Sequence, residues 1–105
     1  MSLPPRRARR IDGNQRQIID AVRRAGAVVY DSSGEGCDLW VGVSGCGWEP
    51  WEIKDGSLPP SRRTLTKSEA QMQLVCRVDH LPYEVILNVD QALARIAELR
   101  SRGRG

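Results

Sequence analysis

The sequence predicts an α/β domain in the order α-β-β-β-α-β-α, a mixed four-stranded sheet flanked by helices. Three observations predict it. Three stretches carry apolar residues at helical spacing, each opened by a capping pattern. Four short runs rich in β-branched and aromatic residues lie between glycine and proline turns. The chain has 105 residues, enough for one domain with a single core.

The first helix starts at Asp12. Gln15 stands three residues on, as in a capping box, and Ile11 can staple the start. Ile18, Ile19 and Val22 give one apolar face, and Gly26 is a natural stop. Residues 27–33 read as a short strand, 34–36 as a turn, and 37–43 as a second strand. "SGCG" makes a hairpin connection to a third strand, residues 48–54. Pro50 within that strand points to an edge position or a bulge, because proline cannot donate to a ladder. A proline-containing loop follows, residues 55–63. The second helix spans 65–78, with Thr66 and Glu69 as a capping box and Ala70, Leu74 and Val78 on one stripe. Residues 83–89 form a fourth strand, parallel to the third across the helical crossover. The last helix spans 88–100, opened by Asn88 and Gln91, and is expected to bury Leu93, Ile96, Ala97 and Leu99. The domain occupies residues 12–100, between a flexible basic arm at 1–11 and a flexible basic tail at 101–105.

Hydrophobic content of 40% and charged content of 28% are ordinary for a globular protein in water. No apolar run reaches the ~20 residues of a membrane span. "MSLPPRRARR" has basic residues but no apolar stretch behind them, so it does not read as a secretory signal, and a cytoplasmic location is expected. Three cysteines, Cys37, Cys46 and Cys76, with no C-x-x-C pair and His80 as the only histidine, read as reduced packed thiols rather than disulfides or zinc ligands. The net charge is +3. Arginines cluster at both ends, at Arg23 and Arg24, and at Arg62 and Arg63. Such clusters suit a polyanion, and also suit solvated helix faces.

The chemistry concentrates in "WEIKDG", residues 51–56. Trp51 and Ile53 alternate with Glu52 and Lys54, so an acid and an amine share one face of a strand. Asp38 starts the neighbouring strand of the hairpin and can lie next to Glu52. Two carboxylates there are unfavourable without a cation. Magnesium takes one or two carboxylates plus waters and a substrate phosphate. Asp38 and Glu52 supply that set, with the backbone carbonyl of Ile53 as a third protein ligand. Lys54 would position or help deprotonate an attacking water and offset charge on the phosphoryl group. The bland alternative is a surface Glu–Lys pair and a turn-capping aspartate.

The run "GEGCDLWVG", "WEIKDG" and "PPSRRTLTKSEAQ" resembles the PD-(D/E)XK nuclease superfamily. It looks most like the small stand-alone VRR-NUC and Holliday-junction-resolvase-like proteins of phages and bacteria. The resemblance covers roughly residues 12–97. It implies a restriction-endonuclease-like fold and a metal-dependent DNA endonuclease acting on branched DNA. It implies Asp38, Glu52 and Lys54 as catalytic residues, and Mg²⁺, with Mn²⁺ as substitute, held by Asp38, Glu52 and Ile53. It also implies a homodimer, because two cuts need two sites. Asn14, Gln15 and Gln71 are accessory candidates. Arg9, Arg10, Arg62, Arg63 and Lys67 are candidate DNA contacts. Two departures stand out. Cys37 replaces the usual proline, and the first helix offers Asn14 and Gln15 where relatives often carry glutamate, which implies a single metal site, or one with a weak second, rather than two full sites. A DNA-binding module of the same fold that has lost activity is the alternative.

Overall fold

The computed structural model describes residues 13–32 and 37–103. The expected Asp12 cap, the 1–11 arm with Arg9 and Arg10, and the 34–36 turn lie outside the described residues. Helix α1 spans Gly13–Arg24, followed by strands β1 (Val28–Asp31), β2 (Leu39–Val43) and β3 (Gly47–Ile53). A 3-10 turn at Pro60–Arg62 leads to α2 (Lys67–Val78), β4 (Glu84–Ile86) and α3 (Val89–Gly103). The sheet order is β1-β2-β3-β4. β1–β2 and β2–β3 are antiparallel, and β3–β4 is parallel across α2. The chain is therefore α/β with a mixed four-stranded sheet flanked by helices.

The core lies between one sheet face and the pair α1 and α3. It joins Ile18 and Val22 of α1, Val29, Leu39, Val41, Val43, Trp51, Ile53 and Ile86 of the strands, and Ala92 and Ile96 of α3. α1 stops as its sequence predicts. Gly26 takes a φ of 93°, and the N–H groups of Gly26 and Ala27 bond Arg23 and Val22 carbonyls, a Schellman ending. The capping pattern of α3 is also present, since Gln91 N–H bonds Asn88 Oδ1 at 2.9 Å. Its side chain reaches back to Leu87 N–H at 2.8 Å.

Four expectations need correction. The tail is shorter, because α3 continues through residue 103. Leu93 and Ala97 are exposed, and α3 buries Ala92, Arg95 and Ile96 instead. The cause is Arg95, whose guanidinium grips buried Glu49 through two hydrogen bonds of 2.7 and 2.8 Å and so fixes the helix rotation. Trp51 Nε1 donates to the same Glu49 carboxylate at 2.7 Å. On α2, Leu74 and Val78 face outward, 53% and 68% exposed. The inward side carries Glu69, Met72, Gln73 and Cys76. Pro50 sits in an interior strand, but β4 pairs only with Trp51–Ile53. Backbone direction alternates along β3, and Lys54 N–H faces β4. Pro50, four residues earlier, turns its missing donor to the same side, before β4 begins.

Candidate active site

The sheet face opposite the core carries the chemistry. Glu49, Trp51 and Ile53 point to the core, so Glu52 and Lys54 share the other face. Asp38 joins them from the start of β2. Its N–H donates to Trp51 O at 3.0 Å, although Trp51 is registered with Leu39. Two residues of one strand thus oppose one of the next, the geometry of a β-bulge, which re-aims a side chain. The Asp38 carboxylate swings across the end of β2 and accepts Ile53 N–H through Oδ2 at 2.8 Å. A residue's N–H and C=O leave a strand on the same side, so the Ile53 carbonyl opens beside Asp38, beyond the ladder.

Lys54 Nζ lies 2.9 Å from Glu69 Oε1 and 3.6 Å from Glu52 Oε2. Sequence reasoning placed Glu69 only as a capping residue. It is that: Thr66 N–H donates to Glu69 Oε1 at 2.7 Å, and the Thr66 hydroxyl accepts Glu69 N–H. The same oxygen also holds the lysine, so one carboxylate joins the first turn of α2 to the β3 terminus. The signal was available in "LTKSE", where the capping pattern fixes which way Glu69 points.

The electrostatics follow from burial. Glu52 is 2% exposed, and its Oε1 has no donor. Burial, then the neighbouring carboxyls of Asp38 and Glu69, push its pKa up to about 10. Burial opposes the charge on Lys54, but Glu69, Glu52 and Asp38 outweigh it and raise the pKa, which keeps the ammonium. For Glu69, burial favours the neutral acid, yet the Thr66 N–H and Lys54 win and lower the pKa.

The other candidates distribute around this cluster. Asn14 Nδ2 donates to Lys54 O at 2.9 Å and to Leu87 O at 3.2 Å, tying α1 to the ends of β3 and β4. Its amide thus serves the backbone. Gln15 is buried on the same helix. Gln71 is exposed and lies about 200° round α2 from Glu69. Gln73, four residues on, shares the Glu69 side. Arg62 and Lys67 are exposed before and within the first turn of α2, and Arg63 Nε bonds Leu58 O at 2.7 Å. Cys37, Cys46 and Cys76 are free thiols. Among the described residues no three His, Cys, Asp or Glu side chains gather for a metal ion. With Glu69 committed to Lys54 and Thr66, the acids left to face a cation are the pair Asp38 and Glu52. Also among the described residues, no helix is long and apolar enough to cross a membrane. No family model, curated protein or solved structure matches this chain.

Proposed function

We propose that the chain is a metal-dependent DNA endonuclease of PD-(D/E)XK type, hydrolysing phosphodiester bonds in branched DNA, on a restriction-endonuclease-like fold. The observation that carries the reading is the bulge that turns the Asp38 carboxylate onto Ile53 N–H and beside the Glu52 carboxyl. Magnesium or manganese suits this set, since such ions take one or two carboxylates and oxygen ligands from backbone, water and phosphate. The orphaned Oε1 of buried Glu52 supports the fit, since a cation supplies the partner it lacks. Asp38, Glu52 and the Ile53 carbonyl would hold the ion. When bound, it supplies an acidified water and offsets charge on the phosphoryl oxygens.

Lys54 does the rest as a cation. An ammonium held by Glu69 is a poor base, so its role is to orient the water and stabilise charge developing on the phosphate. Glu69 is the positioning residue for Lys54. Arg62, Arg63 and Lys67, just before and at the start of α2, would contact the DNA backbone, and Arg9 and Arg10 are candidates on sequence grounds. A second copy of the chain is the expected protein partner, through the outward apolar side of α2.

The test is incubation of the purified chain with labelled four-way junction, flap and linear DNA, in Mg²⁺, Mn²⁺ or EDTA. Cutting that needs metal and disappears in Glu52→Ala supports the reading. Binding without cutting in any metal supports an inactive DNA-binding module. That reading draws on α1, where Asn14 contributes amide contacts to the backbone rather than an acid.

A further inference from the structure

β4 is shorter than β3, and the space it leaves is a cavity of about 810 Å³. Its walls are the β2–β3 hairpin with Trp48, the end of α2, the segment before β4, and the last turns of α3. That volume falls within the ~300–1,000 Å³ of small-molecule sites. Three features of the wall bear on its occupant.

The first is continuity with the carboxylates. Glu69, Gln73 and Arg77 recur every four residues, so they form one stripe along α2, and His80 follows in the turn that ends the helix. The stripe begins at Lys54 and ends in the cavity, which Gln73, Arg77 and His80 line. Tyr83 lines it too. Val85 is registered with Glu52, and Tyr83 precedes it by two residues, so the phenol stands on the catalytic face. Burial, then the charges of Glu52 and Glu69, oppose its ionisation.

The second is composition. Trp48, 54% exposed, and Tyr83 offer aromatic faces, and Arg77 and Arg102 offer cations, while the wall carboxylates Glu49 and Glu84 are paired with Arg95. The third is backbone strain. His80 has a φ of 57° in the position after α2 that glycine usually fills. His80 and Leu81 N–H groups bond Arg77 and Cys76 carbonyls, so the turn is a Schellman ending made with a bulky residue. A non-glycine residue held there costs stability, and such residues collect at binding sites.

We infer that this cavity receives an unpaired nucleotide of the DNA strand whose neighbouring phosphate lies at Asp38 and Glu52. The ligand class rests on the nuclease reading. Arg77 and His80 hold the phosphate, and the base stacks against Trp48 and Tyr83. A base still paired in a duplex cannot enter such a recess without leaving its stack, so the pocket selects forks, flaps and junctions over intact helix.

The experiment measures binding of the full chain in EDTA, where no cutting occurs. Fluorescence anisotropy compares a labelled fork with unpaired arms against a fully paired duplex of equal length. The fork is expected to bind roughly tenfold tighter, the scale of one stacked base. Trp48→Ala, Arg77→Ala and His80→Gly should each bring the ratio to within about twofold of unity. His80→Gly guards against misfolding, since glycine relieves the turn and should melt no lower than wild type. Equal affinity for the two DNAs, a preference surviving all three variants, or no binding at all would overturn the inference. The nuclease reading fails separately, by absence of cutting with metal. Fork preference lost in the variants would then leave the pocket standing.

Discussion

At the scale of single residues, Glu52 couples stability to pH. Its folded pKa of about 10 lies above the ~4.3 of a free glutamate. Between those values the folded chain keeps a proton that the unfolded chain has released. The stabilisation is therefore complete below the ordinary carboxylate range and is lost as pH rises toward about 10. In EDTA the melting temperature should fall across that window, at no more than about 1.4 kcal/mol per pH unit. Glu52→Gln, neutral throughout, should flatten the slope. Added Mg²⁺ should stabilise the wild type most at alkaline pH, where it finds Glu52 ionised. Parallel melting profiles for the two proteins between about pH 6 and pH 9 would refute this account. Lys54 makes a second case. If the proposed nuclease role of its charge at the transition state holds, Lys54→Met should cut about 10²–10³-fold more slowly in single-turnover assays. Fork binding should change little. A loss of affinity as large as the loss of rate would assign Lys54 to substrate binding instead.

At the scale of elements, charged residues orient the helices. Glu49 and Arg95 form a buried bidentate pair, extended by Glu98 at 2.7 Å from Arg95. Arg95→Met leaves Glu49 buried without its main partner and should cost about 3–5 kcal/mol in urea unfolding. A cost below about 1 kcal/mol would mean that the pair is solvated. Thr66→Ala removes half of the capping box and should cost about 1 kcal/mol. The same two charged junctions explain what the sequence revealed and what it hid. The element order, the α2 and α3 caps and the Gly26 stop depend on local chemistry, and all were legible. So was the grouping of Glu52 with Lys54 on one face, which follows from strand alternation alone. Helix rotation was not. Apolar periodicity put Leu93, Ala97, Leu74 and Val78 inside, whereas Glu49 draws Arg95 inward and Lys54 draws Glu69 inward. Each choice pairs residues 46 and 15 positions apart, information that no local window contains. The Asp38 bulge escaped for a related reason: it depends on the end of β2 falling short of Ile53.

For the whole molecule, the inward turn of α2's polar side leaves an apolar side uncovered. Leu74, Val75, Val78 and Leu81 are each more than half exposed. Uncovered apolar surface of this kind marks an interaction site more often than a free helix face. On the proposed nuclease reading a branched substrate would present two strands to cut, and each chain gathers one Asp38–Glu52 pair. A second copy seated on Leu74, Val75 and Val78 would give two sites in a closed, two-fold arrangement without using Gln73 of the cavity wall, which lies about 140° round α2 from Val78. Val78→Glu places a charge in that seam while touching neither the core nor the carboxylates. Sedimentation should then show a wild type that dimerises with concentration and a variant that stays monomeric with an unchanged melting temperature. The variant should still nick one strand of a junction but lose paired cuts. A wild type that remains monomeric at every concentration, with and without junction DNA, would remove the dimer and leave the α2 surface to a different partner.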